Sequence, residues 1–200
     1  MGTPSKEYNI QTLDKLLGMN NGEQYFTLFA DSFCSINPDV EYFIKAKAVQ
    51  SSRLKTSVTY LISKDVSESE IDFVGYFTLA SKILRVPEQG LSNSEKKLLR
   101  LYSHFDETNN TYNCPAVLIA QFGRNFNKSS ESIKGQAMMD IVIAQIETIQ
   151  SLVGGKTVFL ECENKSKLIS FYESQSFKLL DSPSHFSMNN KELLQMYRIL

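Results

Sequence analysis

Two segments decide the fold: "PAVLIAQF" (residues 115–122) and "IKGQAMMDIVIAQIETIQSLV" (residues 133–153). The first is a nearly unbroken apolar run, which is typical of a strand covered on both faces. The second has apolar residues at spacings of three and four, and Gly154-Gly155 end it, so it predicts a long helix with one buried side. Another apolar run, "KTVFLEC" (156–162), predicts the next strand. The helix therefore connects two strands, and a right-handed crossover places it on one face of a sheet.

The regions on either side of this unit predict further strands. "TSVTYLIS" (56–63) and "IDFVGYFTLASKIL" (71–84) are rich in β-branched and aromatic residues, and the polar residues between them predict an antiparallel pair. Near the end of the sequence, "FKLL" (177–180) and "MYRIL" (196–200) predict two closing strands. We therefore expect a mixed α/β sheet with helices on both faces.

Three shorter segments carry helix or loop signals. Asn37-Pro38-Asp39 predicts a helix start, with a capping side chain, a proline at the first helical position and an acid near the positive end of the dipole. A capping box of Ser92 and Glu95 predicts a helix to about His104, and the polar residues 106–113 predict a surface loop. Residues 24–34 fit either a strand or a short helix. The helix after Asn37 is expected to bury Val40, Phe43, Ile44, Ala48 and Leu54.

The composition is that of one ordinary globular domain. The chain has 200 residues, 42% of them hydrophobic, and a formal net charge of −1, which gives no general attraction to nucleic acid or to an anionic membrane. No apolar run is long enough to span a bilayer. The three cysteines, Cys34, Cys114 and Cys162, fit neither a zinc site nor a disulfide framework. These features predict a reduced, cytoplasmic protein without a metal.

Gly135 lies where the long helix begins, and two readings of it are open. Free backbone N–H groups at a helix start bind anions, and a residue without a side chain lets an anion approach. Lys128 and Lys134 add positive charge beside it. Alternatively, Gly135 is a tolerated residue in a solvated turn.

The order of these motifs resembles the GNAT superfamily of acyl-CoA-dependent N-acyltransferases. The residues that carry the resemblance are the loop Ser132–Ala137, the strand "VFLECEN" and the segment "FYESQSF" (171–177). Upstream, "NPDVEYFIKAKAVQSSRLKTSVTYLI", "VGYFTL" and "PAVLI" are similar to the subgroup that contains the tRNA-acetylating toxins of bacteria. The resemblance implies one GNAT-like domain over 1–200, with a mostly antiparallel central sheet and an insertion at about 87–114.

The sequence departs from the family pattern in several places. Ser132 stands where the phosphate loop usually has Gln or Arg, and Ser176 stands where a glycine is expected before Phe177. The segment between Arg124 and Ser132 is longer than in compact members, and the insertion has no counterpart in the minimal fold. These departures affect the expected activity more than the expected fold.

The resemblance also implies which residues hold the cofactor. The main chain of Ile133, Lys134, Gly135, Gln136 and Ala137, following Ser132, would bind the pyrophosphate of acetyl-CoA. By the same resemblance, the main chain of Phe122, Gly123 and Arg124 would pair with the pantetheine arm, Asn164 would hydrogen-bond it, and Lys165 and Lys167 would reach the ribose phosphate. Other readings stay open for each. Gly123 could mark a bulge, Asn164 could cap the next helix, and exposed lysines are commonly only solvated.

Tyr172 is the expected general acid. A phenol with a pKa near 10 keeps its proton at neutral pH and can give it to a departing thiolate. The alternative is a core aromatic cluster of Phe171, Tyr172 and Phe177, which we favour for the two phenylalanines. No general base stands out. The carboxylates of Glu161 and Glu163 and the amide of Asn125 lie at strand ends, and Cys162 reads as a buried structural thiol without an oriented partner in His104 or His185.

The expected function is transfer of an acetyl group from acetyl-CoA to a primary amine, by direct attack in a ternary complex. The acceptor is either a small molecule or an aminoacyl amine. Two alternatives are a toxin that acts on aminoacyl-tRNA and a non-catalytic module that binds CoA or a partner protein. A basic stripe could meet tRNA phosphates or could be a solvated helix face; a homodimer is also left open. The stripe consists of Lys45, Lys47, Arg53, Lys55 and Lys64.

Overall fold

The computed structural model describes residues 8–67, 70–127, 133–181, 185–186 and 191–200. The chain divides into two compact units, described separately below. Unit 1 comprises Met1–Ala80 and Ala120–Ala144, and unit 2 comprises Ser81–Ile119 and Gln145–Leu200. Three elements contribute residues to both units: β3 (Glu70–Pro87), β5 (Thr111–Arg124) and α6 (Gly135–Val153).

Unit 1 combines antiparallel strands with short helices. Its strands follow the order β1-β2-β3-β5, and antiparallel registers pair Ile10 with Ile62 and Tyr60 with Phe77. One cluster of buried side chains in this unit is rich in phenylalanine. The remaining elements of this unit are β1 (Asn9–Thr12), α1 (Leu13–Leu17), α2 (Gly22–Ser32), α3 (Pro38–Tyr42), α4 (Ala48–Arg53) and β2 (Val58–Ser67). The cluster contains Leu13, Leu16, Phe26, Phe29, Ala30, Phe33, Ile44, Ala48, Leu61 and Tyr76.

The helix predicted after Asn37 is present, and its start is the expected one. The Asn37 side chain accepts a hydrogen bond from the Asp39 N–H at 3.0 Å, with Pro38 at the first helical position. Helices α3 and α4 are joined by a π-helical turn, Phe43–Lys47, which the sequence analysis did not predict. Leu54 is 64% exposed, so its predicted burial was wrong. The reason is that α4 ends at Arg53, so Leu54 does not continue the buried side of the helix.

Of the strand and the helix that were open for residues 24–34, the helix is present, since α2 covers Gly22–Ser32. Phe26, Phe29 and Ala30 face the cluster at helical spacing, while Tyr25 and Leu28 are exposed. Aromatic density alone therefore did not indicate a strand here. The strand β1 and the helix α1 that precede α2 were not predicted.

Unit 2 contains the strand–helix–strand connection that was expected from the sequence. Its strands follow the order β5-β6-β9-β7, with β4 on β5 and β8 on β9. Ala116 pairs with Thr157 in a parallel ladder, so the connection through α6 is a crossover as predicted. The ladders of β4 with β5 and of β9 with β6, β7 and β8 are antiparallel. The remaining elements are α5 (Asn93–Leu99), β4 (His104–Asp106), β6 (Thr157–Glu163), α7 (Ser166–Ser174), β7 (Lys178–Leu179), β8 (His185–Phe186) and β9 (Glu192–Ile199).

Two predictions in this unit need correction. The capping box of Ser92 and Glu95 is present, but α5 ends at Leu99 instead of continuing to about His104. Residues 106–113, predicted as a loop, form a hairpin between β4 and β5 in which Asp106 pairs with Thr111. The Asp106 carboxylate accepts the N–H groups of Thr108 and Asn109, so the polar side chain stabilises a tight turn between strands.

The fold class is therefore mixed α/β with mostly antiparallel strands, as predicted. The core of unit 2 lies under α5 and the segment around Leu180. It contains Leu84, Val86, Leu99, Tyr112, Cys114, Ala116, Phe159, Leu180 and Tyr197.

Candidate functional site

The start of α6 is the candidate anion site in unit 1. Ile133 is buried, and its carbonyl oxygen accepts a hydrogen bond from the Arg124 guanidinium at 3.1 Å. The Lys134 carbonyl accepts the Met138 N–H at 3.0 Å, so Gly135 is the first residue of the helix. Helix geometry leaves the N–H groups of such a first turn without acceptors inside the helix, at the positive end of its dipole. Ser132 and Lys128 lie outside the described residues.

The side chains of this turn leave its outer face polar. Lys134 and Gln136 are exposed, and Gly135 and Ala137 are half-buried. The Gln136 amide donates to the Asp140 carboxylate at 2.9 Å. Arg124 and Lys134 are therefore the described cations that flank the start of α6, and the Arg124 guanidinium also lies over the Phe126 ring at 4.7 Å.

Gly123 has a packing reason to be glycine. A Cβ atom added there would lie 2.5 Å from Val40 Cγ1, 3.1 Å from Tyr76 Cε1 and 3.2 Å from Phe33 Cζ. The space that a side chain would need is filled by the core of unit 1. The neighbouring strand shows the same tightness, because a Cβ atom on Gly75 would lie 2.8 Å from the Gly123 carbonyl oxygen. Close approach by protein atoms thus accounts for this glycine, and its half-buried neighbour Phe122 continues the strand.

Asn125, considered above as a candidate base, has a structural role. Its side chain is 2% exposed; the amide oxygen accepts the N–H groups of Cys34 at 3.1 Å and Asn127 at 3.0 Å. Its amide nitrogen donates to the Phe73 carbonyl at 2.9 Å. The residue therefore ties the end of β5 to β3 and to the segment after α2. A buried, fully used amide is not a base, and the long-range nature of its contacts explains why the sequence did not reveal the role.

Tyr172 is the candidate proton donor in unit 2. Its ring is 8% exposed and packs edge-on against Phe171 at 5.1 Å and Phe177 at 6.0 Å between ring centroids. Burial, and secondarily the nearby Cys162, raise the pKa of Tyr172 above its ordinary value. The phenol is therefore protonated at neutral pH. The aromatic cluster that was the alternative reading also exists. Tyr172 therefore packs in this cluster and also carries the proton that a general acid needs.

The turn after Tyr172 explains the sequence departure at Ser176. The Phe177 N–H donates to the Tyr172 carbonyl at 3.0 Å, and the Ser176 N–H donates to the Glu173 carbonyl at 2.9 Å. This pair of bonds is a Schellman motif, in which the residue after the cap is left-handed. Ser176 has φ = 65°, the conformation that glycine favours. At the position where the resemblance to the GNAT superfamily leads us to expect glycine, the backbone thus has the conformation that glycine favours, although the residue is serine.

The residues predicted to contact the rest of the cofactor lie at the start of α7. Asn164 is exposed and its amide donates to the Glu192 carboxylate at 3.1 Å. It does not cap α7, because the capping position is Lys165, which makes no side-chain cap. Lys165 forms an ion pair with Glu163, and Lys167 is exposed.

The acidic side chains near this point are hydrogen-bonded, and the thiol is protonated. Glu163 is held by Lys165 and by Lys191, the latter at 2.9 Å, and these hydrogen bonds lower its pKa. Glu161 is exposed and accepts from Gln195 at 2.9 Å. Burial raises the pKa of Cys162 to about 11, so this thiol stays protonated, as expected for a structural cysteine.

The basic stripe is largely compensated by neighbouring carboxylates. Lys45 pairs with Glu41 at 2.7 Å, Arg53 pairs with Glu23, and Lys55 pairs with Asp14. Lys47 lies over the exposed ring of Tyr42, 6.0 Å from its centroid. Most of this surface therefore carries ion pairs instead of unpaired positive charge.

Two further features are absent from the part of the chain that the structure describes. None of its helices combines the length and the apolar character that a membrane span requires. Its His, Cys, Asp and Glu side chains do not come together in groups of three or more that could hold a metal ion.

Solved structures of toxins share the fold of this chain. No protein-family model matches the chain, and no curated protein matches it. Among solved structures, a tyrosine-to-phenylalanine variant of the AtaT toxin matches with a TM-score of 0.65 and 16% identity, covering 98% of this chain and 92% of AtaT. AtaT complexed with acetyl-methionyl-tRNAfMet matches with a TM-score of 0.60 and 17% identity, covering 94% of each chain.

A third solved structure is a tyrosine-to-phenylalanine variant of KacT, with a TM-score of 0.61 and 15% identity over 95% of this chain and 94% of KacT. The similarity extends over nearly the whole of each chain. At these identities the likeness defines the fold, which is the GNAT-like fold of these toxins, as the sequence resemblance predicted.

Proposed function

We propose that this protein is an N-acetyltransferase that uses acetyl-CoA. The observation that carries the proposal is the start of α6: a turn that begins with Gly135 follows the half-buried strand β5, in a fold also found in AtaTR bound with acetyl-CoA. The main-chain N–H groups of residues 133–137 would bind the pyrophosphate, with Arg124 and Lys134 contributing charge. Ser132, Phe122, Gly123, Asn164 and Lys167 keep the cofactor-binding roles expected from the sequence.

The reaction needs no covalent enzyme intermediate. The nitrogen lone pair of a neutral primary amine attacks the thioester carbonyl carbon and forms a C–N bond. The tetrahedral intermediate collapses, the C–S bond breaks, and the sulfur leaves with the bonding electrons. Tyr172 gives its proton to that thiolate, and the proton lost by the amine nitrogen goes to solvent, so the phenol is reprotonated between turnovers.

Burial of Tyr172 makes it a weaker acid, so the environment of the thiolate matters. An ordinary thiol has a pKa about 1.5 units below that of a phenol, which would make proton transfer unfavourable by about 2 kcal/mol. Burial in unit 2 raises the pKa of the Cys162 thiol to about 11. A thiolate expelled into similarly apolar surroundings would also be more basic, which offsets part of the penalty that burial of Tyr172 adds.

The acceptor that we propose is a primary amine. A second candidate, the amine of an aminoacyl-tRNA, is favoured by the likeness to AtaT complexed with acetyl-methionyl-tRNAfMet. The compensated charges of the stripe at residues 45–55 count against that surface as the tRNA contact. By the same likeness, a partner protein comparable to the antitoxin AtaR would bind this chain.

Binding of the cofactor is tested by calorimetry with acetyl-CoA. Gly135→Asp places a carboxylate at the proposed phosphate site, and we expect it to abolish binding while the circular dichroism spectrum is retained. Ser151→Asp is the matched control, because it adds the same charge at the far end of α6. Unchanged affinity in Gly135→Asp, or no binding by the wild type, would contradict the proposal.

The role of Tyr172 is tested by Tyr172→Phe, which keeps the aromatic packing and removes the proton. We expect turnover, followed as CoA thiol release with a panel of amines and with aminoacyl-tRNA, to fall by about 10²-fold or more while acetyl-CoA affinity is retained. Tyr197→Phe, another buried tyrosine of unit 2, is the control. Binding without turnover in the wild type would instead support the non-catalytic alternative.

A further inference from the structure

Arg124, the last residue of β5, contacts the residues that lead into α6. Its guanidinium donates to the Ile133 carbonyl at 3.1 Å, and the same group lies over the Phe126 ring, 4.7 Å from the ring centroid. The Ile133 side chain is buried, so the acceptor belongs to a residue that packing holds in place. One contact through the edge of the guanidinium and one through its face thus orient it between the end of β5 and the start of α6.

Arg124 is directed at the main chain instead of at a carboxylate. Other cations of unit 1 form ion pairs, Arg53 with Glu23 and Lys55 with Asp14. None of the carboxylates in the described ranges pairs with Arg124, whose side chain is half-buried. Its orientation therefore depends on the residues before α6 and on the ring beneath it, and not on an ion pair.

Holding the Ile133 carbonyl also fixes the next N–H group. A trans peptide unit is planar, and its C=O and N–H bonds point in opposite directions. The Arg124 contact therefore sets the direction of the Lys134 N–H, which is one of the groups proposed to bind the pyrophosphate. The Lys134 carbonyl in turn accepts the Met138 N–H at 3.0 Å, in the first turn of α6. The contact thus joins the end of β5 to the proposed phosphate-binding turn.

The sequence of the loop gives this contact a purpose. The resemblance to the GNAT superfamily leads us to expect Gln or Arg at the first loop position, and the residue there is Ser132. A serine side chain is short and uncharged, so it offers the loop neither the reach nor the donors of the expected residue. A guanidinium that reaches the loop from β5 would compensate for that difference.

We infer that Arg124 is a positioning residue for the cofactor, because its guanidinium holds the peptide unit that leads into the pyrophosphate-binding turn. The inference rests on the proposed binding of acetyl-CoA at that turn. Since the contact is made within the protein itself, the turn is ordered before the cofactor arrives. Such preorganisation raises affinity, because less ordering is needed on binding.

Calorimetry with acetyl-CoA on the full chain tests the inference. Arg124→Met keeps a long side chain that packs on Phe126 but cannot donate to the Ile133 carbonyl, and we expect its Kd to rise about tenfold. Arg124→Lys keeps a charge and a donor but not the planar fork, so we expect a rise of about threefold. Arg198→Met is the matched control, because the Arg198 guanidinium also donates to a main-chain carbonyl at 3.1 Å, that of Gln175 in unit 2. Its Kd should stay within about twofold of the wild-type value.

Two measurements separate positioning from simple attraction of the phosphates. At about 0.5 M salt the Debye length is only a few ångströms, so an effect of charge on the Kd should shrink, whereas an effect of main-chain position should persist. In steady-state kinetics, Arg124→Met should raise the KM for acetyl-CoA and leave kcat within about twofold. The reason is that the contact lies at the proposed pyrophosphate end of the cofactor and not at the thioester.

Hydrogen exchange of the protein without cofactor reports on the turn directly. In Arg124→Met the Met138 amide should exchange about tenfold faster, since its bond to the Lys134 carbonyl opens more often. Arg198→Met should leave this exchange unchanged. Phe126→Leu, which removes the ring beneath Arg124, should produce a smaller change in the same direction. Circular dichroism reports whether each variant is folded.

The outcomes that overturn the inference differ from the one that overturns the proposed function. If the wild type binds acetyl-CoA and Arg124→Met binds it equally well, or if the loss disappears at high salt, Arg124 does not position the turn. An equal loss in Arg198→Met would mean a general effect on the fold. If Arg124→Met does not fold, an unchanged Kd and unchanged Met138 exchange in both Arg124→Lys and Phe126→Leu would overturn the inference. Absence of binding by the wild type would instead refute the proposed function, and the inference with it.

Discussion

The end of β5 in unit 1 and the end of α7 in unit 2 each carry residues proposed for acetyl transfer, and they are held in different ways. Residues 123–127 depend on side chains that reach segments up to 95 positions away in the sequence. Residues 172–177 depend mainly on backbone hydrogen bonds within a single turn, together with a bond from the Arg198 guanidinium to the Gln175 carbonyl at 3.1 Å. Single substitutions should lower the stability of a turn that is held by distant contacts. A turn that is held by local hydrogen bonds should tolerate substitutions or become more stable.

The largest effect is expected at Asn125. Asn125→Leu removes the side chain that bonds the N–H groups of Cys34 and Asn127 and the carbonyl of Phe73. We expect the free energy of unfolding to fall by about 3 kcal/mol, since three hydrogen bonds are lost at about 1 kcal/mol each. Urea denaturation measures the change. Asn127→Ala removes one bond of a half-buried side chain, to the Ser32 carbonyl, and should cost about 1 kcal/mol. Equal losses of stability in the two variants would mean that the hydrogen bonds of Asn125 contribute no more than the bond of Asn127.

Gly123 tests whether packing alone requires a glycine at the end of β5. Gly123→Ala forces Val40, Tyr76 or Phe33 to move, and overpacking of this kind costs about 1–3 kcal/mol. Thermal unfolding is the measurement. Gly18→Ala is the control, because its Cβ would make only ordinary contacts, the nearest at 3.5 Å. A melting temperature for Gly123→Ala equal to that of the control would refute the steric explanation.

Ser176 should respond in the opposite direction. Ser176→Gly removes the penalty for a side chain in the left-handed region, which is about 1 kcal/mol, and should raise the melting temperature. Ser170→Gly, on an exposed position inside α7, should lower it by a similar amount. If both substitutions destabilise the protein, the turn after Tyr172 is not the local motif described here.

The smallest effect concerns an ion pair with a distant residue next to that turn. Lys178, directly after Phe177, pairs with Glu95 at 2.7 Å. This contact and the Ser92 cap lower the pKa of Glu95 from 4.5 to about 2. Folding therefore favours the ionised carboxylate. The stability that it contributes is complete above pH 4.5 and is lost as the pH falls through about 2.

We expect the stability difference between the wild type and Glu95→Gln to be below about 1 kcal/mol at neutral pH, because the pair is partly exposed. The difference should shrink on acidification. Melting temperatures at several pH values measure it, with Glu107→Gln as the exposed control. A difference that grows between pH 4.5 and 2 would contradict the assigned pKa direction.

Cofactor affinity also tests the difference between residues 123–127 and residues 172–177. If residues 123–127 position the main chain for the pantetheine, Asn125→Leu should weaken acetyl-CoA binding at temperatures where the protein is still folded. Ser176→Gly should leave that affinity unchanged. Calorimetry at a temperature where the variant is folded distinguishes a displaced main chain at residues 123–127 from an unfolded protein.

The sequence by itself determined the elements whose signals are local. The apolar run at 115–122, the helical period of 133–153 and the capping residues Asn37, Ser92 and Glu95 predict structures that are present. The segment 171–177, and the position in it that favours glycine, were identified through the resemblance to the GNAT superfamily. These features follow from hydrogen bonds and apolar spacing within a few residues, which one sequence displays.

Tertiary structure decided the rest, because the causes lie far apart in the chain. Gly123 is glycine because Val40, Tyr76 and Phe33 occupy its side-chain space. Asn125 serves the backbone of Cys34 and Phe73, and carboxylates from α1 and α2 neutralise cations of the basic stripe. The ladder between β2 and β3 ends at Val58 and Leu79, before the end of β3, because β2 is the shorter of the two strands. Such steric and electrostatic effects depend on which distant atoms meet, and no periodicity in the sequence encodes that.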